Sequence, residues 1–281
     1  MKVTLNWLKQ YVDFNWSPEE LTERLTKFMK TKFNSPELFA ICLAAVLAVT
    51  GCKTSHHGCC SMASCGMGDA AAVAEVQTKE SQAAMTPAQA LAELKAGNAR
   101  FVAGKPLHRD LPAQVAATAG GQYPFAVVLS CLDSRQPIEI VLDQGVGDIF
   151  SARVAGNILD DDILGSMEFA CKVSGAKLIA VIGHSNCGAI KGAIDDVELG
   201  NLTGLLTKIK PAIASVPADG QPRSTKNYAF VDAVSAANVK LVQQQIRERS
   251  PILREMLDKN EIALVGGMYD LKTGKVQFYE P

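Results

Sequence analysis

Residues 125–135 read FAVVLSCLDSR, and residues 177–187 read KLIAVIGHSNC. In each, a short apolar run rich in β-branched residues ends at a polar segment carrying a cysteine. Such runs, bounded by turn formers, read as strands buried on both faces. Working outward, DIFSA at 148–152 and EIALV at 261–265 are further runs of this kind. Helical patterns fill the intervals at 160–174, 187–196, 201–214 and 226–258. Strands alternating with helices predict an α/β fold with a central, mainly parallel β-sheet flanked by helices. KVQFY at 275–279 alternates and follows a turn at Asp270–Gly274, so it reads as an edge strand. Upstream, Thr86-Pro87-Ala88-Gln89 opens a helix, with Thr as N-cap, Pro at the first helical position and Gln two further on. Leu91, Leu94, Asn98 and Phe101 follow near helical spacing. They predict an N-terminal helical arm over 86–103 with one packed face.

The sequence has 281 residues, 48% hydrophobic and 20% charged, with 28 Lys+Arg against 29 Asp+Glu. This is an ordinary globular balance, ample for a sizeable core. A net charge of -1 offers nucleic acid no electrostatic footprint, so no nucleic-acid partner is expected. No apolar run reaches the roughly 18 residues of a membrane-spanning helix.

Both cysteine segments lie just beyond a strand end. In a parallel sheet all strands share one carboxyl edge, and ligands bind there. If the two strands are neighbours, Cys131, His184 and Cys187 converge. Two thiols and one imidazole with an open fourth position form a catalytic zinc arrangement, one Zn2+ per chain. Two thiolates formally cancel the charge of the ion, so acidifying a bound water needs help from surrounding groups. Asp133 and Arg135 are the helpers at hand: Arg can grip a carboxylate from two sides and keep it ionised.

The segment from Gln122 to Asp195 resembles the core of a β-class carbonic anhydrase. CLDSR, DQGVGDIFSARVAGN, GSMEFA and GHSNCGAIKG match that family in order and spacing, and a looser likeness covers about 86–281. The resemblance implies zinc-dependent, reversible hydration of CO2 to bicarbonate and a proton through a zinc-bound hydroxide. It assigns the metal to Cys131, His184 and Cys187, and the hydroxide-orienting pair to Asp133 and Arg135. In a closed form of some members Asp133 becomes a fourth ligand; Gln122 favours the open form here. Gln122 matches the residue that orients substrate. Phe150, Phe169 and Ala155 match positions lining the CO2 pocket. The family assembles as a homodimer or a dimer of dimers, with the arm helix reaching the partner. Two rival readings remain: a zinc hydrolase of CS2 or COS on the same fold, and a membrane-tethered metal-binding protein.

Other residues read more plainly. Cys171 falls in a helical run and reads as core. Gly145 and Gly147 serve turns, and Gly156-Asn157 a turn near the metal. His108 reads as a surface-loop residue, with a proton relay as the alternative. The charges at 240–259 read as a solvated helix face.

The first 85 residues carry a different signal. Five of the eight cysteines, Cys42, Cys52, Cys59, Cys60 and Cys65, lie there. Lys30 and Lys32 precede an uncharged, mostly apolar run from Leu38 to Thr50, and small residues follow. That is the pattern of a secretory signal; a short buried helix is the alternative. Val49-Thr50-Gly51-Cys52 resembles a bacterial lipobox, which implies lipidation of Cys52. The expected location is then the bacterial cell envelope, lipid-anchored, periplasmic or on the outer surface. Residues 1–28 resemble the opening of a phenylalanyl-tRNA synthetase β chain and read as a foreign prefix or a misassigned start. If Met1 is the true start, the signal goes unused and the protein is cytoplasmic. The expected domains are therefore 1–28, a signal segment 29–52, a flexible tether 53–85 and a catalytic domain 86–281. The tether holds His56, His57, Cys59, Cys60 and Cys65. These read either as a soft-metal site or as a solvated spacer with oxidisable thiols.

Overall fold

Five strands form one sheet in the order β2-β1-β3-β4-β5. They are β1 (Ala126–Ser130), β2 (Ile149–Arg153), β3 (Leu178–His184), β4 (Ala263–Tyr269) and β5 (Val276–Phe278). The first four pair in parallel, and β5 closes the edge antiparallel to β4. This computed structural model describes residues 20, 23–24, 75–218 and 220–279. The chain divides into two units, Met1–Met67 and Gly68–Pro281, and the second carries the sheet. The expected signal at 29–52, the Cys52 lipidation site and the His56–Cys65 cluster lie outside the described residues. Among the described residues no helix is long and apolar enough to cross a membrane.

The helices are α1 (Lys79–Ala84), α2 (Pro87–Val102), α3 (Leu111–Thr118), α4 (Ile138–Val141), α5 (Asp161–Glu168), α6 (Gly188–Ile194), α7 (Gly200–Thr207), α8 (Lys210–Ser215), α9 (Tyr228–Arg249) and α10 (Pro251–Asp258). Every residue of β1 and β3 is buried, as expected of central strands covered on both faces. On one face Val127, Leu129, Ile179 and Val181 meet Leu164, Met167 and Cys171 near α5, and Val239, Val242 and Ile246 of α9. On the other, Val128, Leu178 and Ile182 meet Leu91 and Leu94 of α2 and Ile138 of α4. Each such aliphatic side chain contributes about 1.5–3 kcal/mol by leaving water.

Several expected boundaries move. The predicted helix at 226–258 is two helices, because Ser250 turns extended and caps α10 through Leu253 N–H while Pro251 takes the first helical position. The predicted helix at 201–214 also divides, into α7 and α8. β4 runs four residues past EIALV to Tyr269. Its Gly266 admits α9, since a Cβ there would stand 2.8 Å from Val239 Cγ1. Within the expected flexible tether 53–85, Thr78 caps α1, and buried Gln82 donates to the carbonyls of Pro124 and Ser174. The stretch from Thr78 on is therefore docked structure.

The arm α2 lies on its own chain. Asn98, buried, donates to the carbonyls of Val141 and Gly274 and accepts from Val276 N–H. Nearby, Asp143 pairs with both Arg100 and Arg109 and accepts from Leu107 N–H. Its side chain is 2% exposed, so the pair of guanidiniums replaces the water it has lost.

Candidate metal centre

β1 and β3 are hydrogen-bonded neighbours in parallel register, with Ser130 beside Ile182. Cys131 follows β1 directly and His184 ends β3, so both emerge at the same carboxyl edge. From β1 the chain leads to β2 on one side, and from β3 to β4 on the other. The order 2-1-3-4-5 places a topological switch between β1 and β3, where open α/β sheets bind ligands.

Two hydrogen bonds fix the turn after β3. Ser185 N–H donates to Tyr269 O at 2.9 Å, and Asn186 N–H to Asp232 Oδ1 at 2.7 Å. Asn186 takes the left-handed conformation at φ 55°. Cys187 then becomes the N-cap residue of α6.

The donor atoms of Cys131, His184 and Cys187 all lie within 4.8 Å of one another, and all three residues are buried. The two sulfurs are 4.0 Å apart. In a tetrahedral site with Zn–S near 2.3 Å, sulfurs stand roughly 3.8 Å apart. His184 Nδ1 lies 2.9 Å from Ser185 O, a position that suits a donated ring N–H. Nε2 is then the free lone pair, and it is buried without a hydrogen-bond partner. A buried ring nitrogen with no partner, aimed among two thiols, fits a transition-metal ion. The thiols compete for one proton: the Cys187 hydrogen bond holds Cys131 low, while Cys131 and burial push Cys187 up. Cys171, by contrast, is pushed up to about 12 by burial alone, as befits a core thiol.

Asp133 stands beside the triad. Its Oδ1 accepts from Arg135 N–H and Nε, both at 2.9 Å, and its Oδ2 from Arg135 Nη2 at 2.7 Å. The Arg135 hydrogen bonds hold its carboxyl down at about 2. Oδ2 is 3.9 Å from His184 Nε2. The carboxylate is thus ionised, gripped and close, with the Asp133–Arg135 pair intact.

Sequence reasoning missed three supports. Arg153 donates from Nε to Cys131 O at 3.1 Å and from Nη2 to Asp133 O at 2.6 Å. Asp232 holds the His184–Cys187 turn, and Asn238 donates to Gly156 O at 2.8 Å. Only Arg153 had a readable signal, a charged residue closing the strand beside β1. The expected turn at Gly156-Asn157 does sit at the centre, with Gly156 N–H 3.3 Å from Cys131 Sγ. Ala155 belongs to that turn.

The other expected pocket residues do not join the triad within one chain. Gln122 precedes β1, at the amino edge of the sheet, and lines a surface hollow with Thr118 and Gly147. Five strand residues, about 17 Å, separate that edge from Cys131. Phe150 pairs with Val127 in mid-strand. Its ring packs edge-to-face on Phe169, centroids 6.2 Å apart, in an open groove of about 720 Å3 that no triad residue lines. His108 is exposed in the loop before α3.

A switch-point sheet whose edge gathers two thiols, an imidazole and a held carboxylate has the makings of a metal-dependent enzyme. Residues 126–276 match the carbonic anhydrase family. Carbonic anhydrase 2 of Mycobacterium tuberculosis is 36% identical over 198 residues, covering 67% of this chain and 91% of that protein. The carbonic anhydrase of Mycolicibacterium smegmatis is 38% identical over 197 residues, covering 68% of this chain and 92% of that protein. In fold the chain resembles the β-carbonic anhydrase CafA of Aspergillus fumigatus, with TM-score 0.55 and 24% identity over 69% of this chain and 92% of the other. It also resembles one of two tetrameric β-carbonic anhydrases of Sordaria macrospora, with TM-score 0.52 and 24% identity over 60% of this chain and 87% of the other. The chain belongs to the carbonic anhydrase family, in its β class, and is an enzyme of that kind.

Proposed function

We propose that the protein hydrates CO2 reversibly to bicarbonate and a proton, using one zinc ion held by Cys131, His184 and Cys187. The observation that carries this reading is the triad with Asp133 gripped beside it. When bound, zinc supplies a Lewis acid that makes water nucleophilic at neutral pH. Asp133, kept ionised by Arg135, accepts a hydrogen bond from the attacking oxygen and aims its lone pair at CO2. Arg153 holds the carbonyls on either side of Leu132, so Cys131 and Asp133 keep their spacing. Ala155 adjoins Gly156, whose N–H meets Cys131 Sγ.

A second copy of the chain completes the pocket. Gln122, Phe150 and Phe169, which the family resemblance assigns to substrate, lie away from their own triad. Phe150 sits on β2, the edge strand, whose outer side has no partner strand among the described residues. In a homodimer that edge brings Gln122 to donate to a substrate oxygen and the two rings to exclude water. The Leu38–Cys52 segment supports export and lipid anchoring through Cys52.

Stopped-flow CO2 hydration tests the reading. Activity is expected to depend on zinc and to collapse in Cys131→Ala. Unchanged hydration by that variant would overturn it.

A further inference from the structure

The long helix α9 sends two polar side chains, part-buried Asp232 and buried Asn238, to the segments around the metal centre. Asp232, Ser235 and Asn238 recur every third residue, so they share one face of the helix. Asp232 holds the turn between His184 and Cys187. Asn238, 1% exposed, reaches the other ligand segment. Its Nδ2 donates to Gly156 O at 2.8 Å, and the Gly156 N–H in turn lies 3.3 Å from Cys131 Sγ.

Gly156 links the two bonds rigidly. It sits at φ 67°, and a Cβ there would come within 2.8 Å of Ile209 Cδ1 and 3.2 Å of Ala189 Cβ. The turn is thus clamped between α6 and the segment before α8, and Asn238 anchors its far peptide. Packing by Ile209 and Ala189 and the Asn238 bond at the carbonyl end together restrict the direction of the Gly156 N–H.

We propose that Asn238 is a positioning residue for the metal: it aims the Gly156 N–H at Cys131 and so tunes that sulfur as a ligand. This rests on the triad holding zinc. The physical reason lies in the donor set. Two thiolates donate enough charge to blunt the Lewis acidity of a divalent ion. An N–H pointed at one sulfur draws density off it, which keeps the ion electrophilic. Hydrogen bonds to ligands from neighbouring groups change metal affinity by about 10–100-fold. Asn238 acts across two peptide units and touches neither metal nor substrate.

Cobalt(II) and zinc test it on the full chain. Wild type is expected to take one cobalt with a thiolate-to-cobalt charge-transfer band that Cys131→Ala weakens. Absence of that band in wild type sinks the metal reading itself, and this inference with it. In Asn238→Ala the band is expected to move in energy. Zinc affinity, measured against a chromophoric chelator, falls about tenfold or more. kcat drops while KM stays near wild type. A variant that melts earlier but keeps the wild-type band and zinc affinity makes Asn238 a packing residue only, and overturns the inference. If the alanine variant does not fold, Asn238→Leu, which keeps the side-chain volume and removes the donor, is read the same way. In addition, cadmium-113-loaded wild type is expected to show scalar coupling from the metal to the Gly156 amide proton. No such coupling removes the N–H···S bond and the inference with it.

Discussion

Arg135 closes on both carboxylate oxygens of Asp133, with Nε at 2.9 Å from one and Nη2 at 2.7 Å from the other. A guanidinium fork can do this and an ammonium cannot, because a point charge does not span two acceptors. Arg135→Lys is therefore expected to lower kcat/KM for CO2 hydration about tenfold or more while zinc content stays at wild type. Stopped-flow assays with metal analysis on one preparation check both halves.

The same grip predicts an acid-side effect. Asp133 is lowered from 3.8 to about 2, chiefly by the Arg135 hydrogen bonds. A carboxyl depressed on folding stabilises the native state fully above its unfolded value. That contribution fades as pH falls from there through about 2. Arg135→Ala lets Asp133 return toward its ordinary range, so the acid-unfolding midpoint is expected to move to higher pH. A circular dichroism titration reads the shift; an unmoved midpoint means the pair contributes nothing to acid stability.

Asp143 predicts a stability loss away from the chemistry. It is buried between Arg100 and Arg109, and Asn in its place leaves Arg109 without its counter-charge and Arg100 with Glu93 alone. Breaking such a pair costs about 3–5 kcal/mol. Asp143→Asn is expected to lower the urea midpoint accordingly, with zinc stoichiometry unchanged in the folded fraction.

Mixed dimers test whether Gln122 works across the subunit boundary. Cys131→Ala and Gln122→Ala are each expected to be impaired alone. A heterodimer of the two carries one intact site, with the ligands from one chain and Gln122 from the other. Random re-pairing is then expected to restore about a quarter of wild-type activity. No gain on mixing, with exchange verified by mass, places Gln122 with its own chain's metal or outside the site.

The proposed export segment makes a separate prediction. Mass spectrometry of the native N-terminus is expected to find Cys52 as the first residue, carrying acyl chains. A peptide containing Met29 through Cys52 in the mature protein contradicts this.

The strands and the Cys131–His184–Cys187 cluster were readable for the same reason. β1 and β3 are buried on both faces, so each appears as an unbroken apolar run, and the ligands sit directly at the run ends. Where the signal was local but overlooked, boundaries slipped: Ser250-Pro251 is a cap signature inside a long helical pattern, and it divides α9 from α10. Gly266 and Gly267 hid the end of β4, because glycine lacks the side chain that marks a strand. Asp232 and Asn238 had no local signal. They meet the centre across 46 and 82 residues of chain, and a helix whose apolar stripe also carries Asn and Ser gives no sign of what those groups face. Gln122 and the two phenylalanines were assigned by likeness, and one protomer does not bring them to Cys131, His184 and Cys187.

The spacing of the two sulfurs is inherited from backbone pairing between β1 and β3, and the turn from the imidazole to Cys187 is pinned by Tyr269 at the tip of β4. The receptor for the ion thus comes into being only when segments scattered over more than a hundred residues have already closed into a sheet. Under the proposed function, metallation would then be a late event in maturation. A polypeptide threaded through a translocation pore in extended form would acquire its ion on the far side.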